Sequence, residues 1–312
     1  MENDMMIRED VLQLLREAEC PEEFTRQFTA AMDQGSISGA AEYLHLSQPT
    51  LSRQLSDLEA EIGKPLFIRG SRRITLTEHG TLLRRRASEI VGLMEKTVGE
   101  LAADEENIAG DIYIGAGETE GVHFLTHAAR LLRERHPDVR FHIASGDTVD
   151  VTEALDKGLI DFGLLFGIID EKKYSSIALP AYDTWGVIML RDDPLAEKEY
   201  VTAADMAGKP LIVSRASPEP GSLFGQVISK NVAGSYSLVY NGSLMVADGL
   251  GYMLCLDKIL NVTGDSPLCF RPLIPEIKAH MSVTWKKYQV FSKPSQRFLE
   301  TLRQTLTEPE QN

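Results

Sequence analysis

The spacing of apolar residues changes period at Gly110. Before it, apolar positions recur at three and four residues. After it, short apolar runs take turns with helical stretches. Such a chain carries two kinds of pattern in succession. It needs a helical N-terminal domain followed by an α/β region of about 200 residues in two lobes. In that region the pattern predicts strands at Ile112–Ala116, Val139–Ala144, Ile160–Phe166, Trp185–Leu190, Leu211–Val213, Leu238–Tyr240, Tyr252–Leu256 and His280–Trp285. Helices are predicted at Thr119–His136, Thr148–Lys157, near Ser222–Val232, near Leu244–Gly249 and at Ser295–Leu306.

Upstream, residues 22–62 read as three short helices. Phe24, Phe28 and Ala31 mark the first, and Ile37, Ala40, Ala41 and Leu44 the second. The third opens on Ser47, a good N-cap, with Pro49 in its first turn, where a missing N–H costs nothing. It is expected to bury Leu51, Leu55, Leu58 and Ile62 and to stop at Gly63. Leu66–Arg69 and Arg73–Leu76 then form a hairpin with a basic tip. Thr77 caps a long helix to about Ala103, in which Leu83, Ala87, Ile90, Met94, Thr97 and Leu101 step by four and three. That seam suits pairing with a second chain; packing on the helix's own domain is the alternative. Residues 104–107 look like a hinge.

Of 312 residues, 43% are hydrophobic and 25% charged, which excludes a disordered or disulfide-scaffold chain. The net charge of −14 argues against nucleic acid, but it hides an inversion. Residues 1–43 hold three basic and ten acidic side chains, whereas residues 44–86 hold eight basic and four acidic. One short stretch opposes the sign of the whole. The three cysteines, Cys20, Cys255 and Cys269, are scattered and form no CxxC pair, which suits a reduced, cytoplasmic setting. The N-terminus is acidic and lacks an apolar core, so no signal peptide is expected, and no window suggests a membrane span.

The second and third helices with the turn Leu44–Ser47 make a helix-turn-helix, and the hairpin makes it winged. With the leucines buried, the third helix presents Gln48, Ser52, Arg53 and Ser56 near its N-terminus, the part that usually enters the major groove. The hydroxyls of Ser36, Ser47 and Thr50 at helix starts suit phosphate, and Arg72 and Arg73 suit phosphate or the minor groove. A winged helix used for protein contacts alone is the competing reading.

Residues 40–55, AAEYLHLSQPTLSRQL, then Leu58-Glu59, Gly63–Phe67 and Leu76–Gly80, closely resemble the signature of LysR-type transcriptional regulators. The likeness is tight over residues 20–103 and looser to about 306, through strand order and the motif Gly158–Gly163. It implies that Gln48, Pro49, Ser52 and Arg53 contact DNA. It also implies a dimerising linker helix, a two-lobed effector domain like a type 2 periplasmic binding protein, and homodimers or homotetramers on an imperfect palindrome of double-stranded DNA. RNA polymerase is a further candidate partner; no cofactor, metal or membrane is implied. The expected domains are an N-terminal extension (1–19), the winged helix-turn-helix (20–77), the linker helix (78–106) and the effector domain (107–312). Within the last, lobe I takes about 107–183 and 285–312, and lobe II about 184–284. The extension departs from the family pattern. Val11, Leu14 and Leu15 give it a short amphipathic helix, and its acidity suggests that it tunes DNA affinity by repulsion.

Ligands of such lobes bind where strand ends meet helix N-termini. Three loops fit: Gly117–Thr119, Ser145–Thr148 and Ser214–Ser217. The resemblance places Thr119, Thr148 and the Ser214–Ser217 turn against the effector; as bare sequence each hydroxyl reads equally as a helix cap. Phe166 stands where some family members have an arginine, so their hold on a carboxylate does not carry over, and Arg215 is a candidate substitute. Asp248 stands where a small residue is usual, and with Glu118 it points to a cationic or polyhydroxylated effector. Other readings fare worse. Glu120, His123 and His127 have metal-ligand spacing by coincidence, Gly115-Ala116-Gly117 lacks the third glycine of a dinucleotide loop, and Cys255 lacks a nearby resolving thiol. No nucleophile–base constellation has supporting context, so no enzyme is expected. A solute-binding or enzymatic α/β protein with a protein-binding winged helix remains the alternative. A molybdate-type regulator fits poorly, because its sensor is smaller and β-rich.

Overall fold

The structure, a computed structural model, describes residues 37–69, 74–102, 108–214 and 231–307. The chain divides into two compact units at residue 103. The expected N-terminal helix, the helix of Phe24 and Phe28, Ser36, Arg72, Arg73, Arg215, Ser217 and the body of the helix expected near 222–232 lie outside the described residues, as does the 104–107 hinge.

In the first unit, α1 (Ile37–Tyr43) buries Ala40 and Ala41, whose small side chains let α2 (Gln48–Ile62) approach closely. The turn between them passes through His45 at φ 57°. Ser47 caps α2, its Oγ accepting from the Thr50 N–H at 3.2 Å. Gly63 ends the helix at φ 69°, a left-handed position that glycine takes without a Cβ penalty. Leu51, Leu55 and Leu58 are buried, joined by Leu66 and Phe67. Ile62 departs from expectation and is 42% exposed, because that core ends at Leu58, one turn earlier. Strands β1 (Phe67–Arg69) and β2 (Ile74–Leu76) form the antiparallel hairpin. Glu59 ties it to α2: its Oε1 accepts from Leu66 N at 2.7 Å and Phe67 N at 3.0 Å.

Helix α3 (Glu78–Ala102) starts at Thr77, whose Oγ1 accepts from Gly80 N at 3.0 Å. Leu83 packs on the winged-helix core and Ala87 is buried, so the start of the apolar seam is used within the chain. Further along, Ile90 is 45% exposed, Leu93 and Val98 are exposed and Met94 is half-buried. The Leu101 side chain is outside the described set.

The second unit is built on a ten-stranded sheet. Eight strands follow one path: β4 (Val139–Ser145), β3 (Gly110–Ala116), β5 (Phe162–Phe166), β12 (Lys278–Lys286), β6 (Tyr174–Leu190), β10 (Tyr252–Leu256), β8 (Leu211–Ser214) and β9 (Val232–Tyr236), with β11 (Leu268–Ile274) and β7 (Val201–Thr202) beside it. Its first lobe pairs β3 (Gly110–Ala116) in parallel with β4 (Val139–Ser145) and β5 (Phe162–Phe166). β12 (Lys278–Lys286) runs antiparallel to β5 and to the first part of β6 (Tyr174–Leu190). Helices α4 (Val122–Arg135) and α7 (Lys293–Thr307) bury Leu125, Ala128, Phe298 and Leu302 against Ile112, Ile114, Phe162 and Leu164. Val151 and Leu155 of α5 (Thr148–Asp156) join a separate core with Ile160, Leu165 and Tyr174. In the second lobe the later part of β6 pairs with β10 (Tyr252–Leu256) and β11 (Leu268–Ile274). β8 (Leu211–Ser214) lies parallel to β10 and to β9 (Val232–Tyr236), β7 (Val201–Thr202) runs along β11, and α6 (Val239–Ala247) buries Val239 and Val246 on the sheet.

Four departures from the sequence pattern matter. β6 is a 17-residue strand and not just Trp185–Leu190; it passes from one lobe into the other near Thr184–Trp185. The strand expected at Leu238–Tyr240 is instead the start of α6: three consecutive apolar side chains imitate a strand, while the pairing partner of β8 is the plainer Val232–Tyr236. Val232, expected at the end of a helix, opens that strand. The second passage between lobes comes just before Lys278, where Trp185 N donates to Ile277 O at 3.0 Å, so β12 lies wholly in the first lobe's sheet although a return near 285 was expected. Among the described residues no helix is long and apolar enough to cross a membrane.

Candidate nucleic-acid interface and effector cleft

On α2, burial of the leucines leaves Gln48, Pro49, Thr50 and Arg53 exposed and Ser52 half-buried. The Ser47 hydroxyl is engaged as the cap and lies 2.6 Å from Thr50 Oγ1. The Arg53 side chain is 86% exposed, and its Nε sits 4.0 Å from Asp57 Oδ2. A solvent-exposed pair of this kind is worth about 0.3–0.5 kcal/mol, so the guanidinium is free to exchange Asp57 for a phosphate or a base edge.

A cavity of about 190 Å³ opens between the two lobes of the second unit. The first lobe supplies Gly117, Glu118, Ser145–Thr148, Asp150, Leu164 and Phe166. The second supplies Ser214, Tyr236–Val239, Cys255, Leu256 and Ile259; Trp185 lies at the passage in β6, and Ala279 at the start of β12 in the first lobe's sheet. The sheet order explains this convergence. Parallel strands β3, β4, β8 and β9 present their C-terminal ends, and the N-termini of α5 and α6 follow those ends closely.

Of the expected effector residues, Glu118, Ser145, Thr148 and Phe166 are brought together in the wall. Thr119 stands beside it: its hydroxyl donates to the Asp183 carboxylate and accepts from Gly121 N at 3.1 Å, which is a structural job at the start of α4. The cap of α5 is Asp147, whose Oδ1 accepts from Val149 N and Asp150 N at 3.0 Å, leaving Thr148 as a wall residue. Asp248 does not line the cavity. It is exposed at the C-terminal end of α6, while Glu118 meets the N-terminal end, so the two carboxylates do not act together on a cation. His123 Nε2 lies 3.9 Å from Glu120 Oε1 on an exposed face of α4's first turn.

Sequence patterns missed Trp185, Tyr236 and Cys255. Tyr236 is buried, its hydroxyl donates to Leu254 O at 2.7 Å, and burial raises its pKa. Burial also pushes the Cys255 thiol up to about 12, so it is protonated at neutral pH. Asp183, buried on β6 just before that strand passes into the second lobe, has its pKa raised by desolvation, partly offset by the Thr119 hydrogen bond and aggravated by Asp257.

Residues 24–81 match the model for bacterial regulatory helix-turn-helix proteins of the lysR family, and residues 105–307 match the LysR substrate binding domain. A probable RuBisCO transcriptional regulator from Gracilaria tenuistipitata var. liui is 30% identical over 157 residues, covering 50% of this chain and 51% of that protein. The DNA-binding transcriptional dual regulator OxyR of Escherichia coli (strain K12) is 31% identical over 176 residues, covering 56% and 57%. The chain thus spans little more than half the length of these relatives. In fold it is similar to CbnR, a LysR family transcriptional regulator, with a TM-score of 0.68 at 17% identity over 93% of this chain and 100% of that one. Full-length CbnR complexed with its target DNA gives 0.66 at 18% identity over 92% and 100%. With both of its units matched by family models, this chain belongs to the LysR family.

Proposed function

We propose that the chain is a DNA-binding transcription regulator whose affinity for its operator is set by a small molecule held between two lobes. One observation carries this reading: a lined cavity between lobes, in the same chain as a winged helix whose Gln48, Thr50 and Arg53 face outward. The relatives with regulator names support it. In this account Ser47, Gln48, Pro49, Thr50, Ser52 and Arg53, with Ser36, Arg72 and Arg73, meet an imperfect palindrome of double-stranded DNA. Ser145, Thr148, Phe166 and Glu118 meet the effector, and α3 pairs two copies through Ile90, Met94 and Leu101. Assembly as a dimer or tetramer, contact with RNA polymerase, action in the cytoplasm and absence of catalysis belong to the same reading. Effector binding favours one lobe arrangement and so shifts the population of oligomer geometries.

A gel-shift assay on the DNA upstream of the chain's own gene tests the first half: wild type binds and Arg53→Ala does not. Equal binding by the two proteins, or none by either, contradicts it. A melting-temperature screen of metabolites tests the second half, with Phe166→Trp, which fills the cavity, expected to abolish the shift.

A further inference from the structure

Helix α6 begins at the cavity without a cap of its own, because its N-cap residue is Leu238, which offers no side-chain acceptor. A carboxylate from the other lobe fills the place. Glu118, on the loop after β3, reaches across the cleft, and its Oε2 accepts the Val239 N–H at 2.6 Å. Both residues line the cavity. The contact joins residues 121 apart in sequence. It adds a side-chain bridge between lobes that the chain itself links through β6 and the strand passage before Lys278. A negative charge here meets the positive end of the α6 dipole, and a charged acceptor makes a stronger bond than a neutral one.

We propose that Glu118 is an interlobe latch: it caps α6 across the cleft, and an effector releases it by presenting a carboxylate or another oxyanion to the same Val239 N–H. The inference rests on the cleft being the effector site. A ligand lacking an oxyanion has nothing to exchange for Glu118 and leaves the bridge closed. The latch therefore selects the effector class, and it turns ligand entry into a change in the bonding between lobes. The carboxylate that invites a cationic ligand when read as sequence is already committed to a backbone donor.

Hydrogen exchange of the full-length chain tests the latch without any effector. In Glu118→Ala the amides at the start of α6 should exchange about tenfold faster than in wild type. Sodium acetate should slow them again and raise the melting temperature saturably, whereas sodium chloride at equal ionic strength should not. Wild type should respond to neither salt specifically, because acetate has no other contacts in the cleft and cannot outcompete a tethered Glu118 as an effector held by the cleft walls does. Unchanged exchange in a folded Glu118→Ala, or identical acetate responses in both proteins, overturns the proposal. If that variant does not fold, Glu118→Gln keeps an acceptor without the charge and should show a smaller acceleration; wild-type exchange there overturns the latch equally. The metabolite screen reports on the cleft as effector site independently, so failure of one is not failure of the other.

Discussion

Asp183 holds a buried carboxylate where β6 leaves the first lobe, bonded to Thr119 and close to Asp257. Its native pKa is raised, so the folded state holds that proton more tightly than the unfolded chain does. The contribution of neutral Asp183 to stability is fully present below the ordinary aspartate value of about 3.9 and is lost as pH rises through the raised native value. Asp183→Asn should therefore melt higher than wild type at pH 7, by about 2–4 °C per kcal/mol of desolvation relieved, and the gap should close towards pH 4. Melting curves across that range check it; a gap independent of pH contradicts it. Cys255 gives a second test. With its thiol pushed up to about 12 and 1% exposed, it should react with iodoacetamide at pH 7.5 far more slowly than after unfolding in guanidinium. Rapid native labelling of Cys255, read by peptide mass spectrometry, contradicts this.

Two elements carry the argument for the N-terminal unit. At the root of α3, a Cβ on Gly80 would stand 2.1 Å from the Leu66 carbonyl oxygen, a backbone atom that cannot swing aside. Gly80→Ala should cost about 1–3 kcal/mol of that unit's stability through overpacking, measurable by denaturant unfolding. Beyond Ala87, α3 shows solvent Ile90, Leu93 and Val98, a stripe that a second copy would cover. Ile90→Glu should shift the sedimentation profile towards monomer without unfolding the chain; an unchanged profile removes α3 from the pairing surface. The caps and helix spacings here are legible in sequence because they are local: Ser47, Pro49, Gly63 and Thr77 each do their work within a few residues. The α/β unit is less so. Leu238-Val239-Tyr240 reads as a strand because nothing local reveals that β8 pairs with Val232–Tyr236 instead. β11 hides behind Arg271 and Pro272, and the first part of β6 behind the adjacent Ser175 and Ser176 and exposed side chains. For the same reason only part of the cavity wall is legible in the sequence. Glu118, Ser145 and Thr148 follow strand ends, whereas Trp185, Tyr236 and Cys255 reach the wall only through pairing between distant strands.

For the molecule as a whole, charge and architecture agree. The chain carries −14, yet residues 44–86 hold eight basic against four acidic side chains. In the proposed reading, pairing two copies would double the basic patch while the acidic remainder would repel a polyanion. Non-specific DNA affinity should then be weak and specific binding steeply salt-dependent. The central claim is coupling: what sits between the lobes sets how tightly the winged helix holds DNA. Fluorescence anisotropy of the upstream duplex, titrated with the full chain with and without a saturating metabolite from the melting screen, tests it most directly. The account predicts that operator affinity changes at least fivefold, as a coupling of about 1 kcal/mol requires, and that the change disappears in Phe166→Trp. Identical operator affinity with the cleft empty and filled would contradict it.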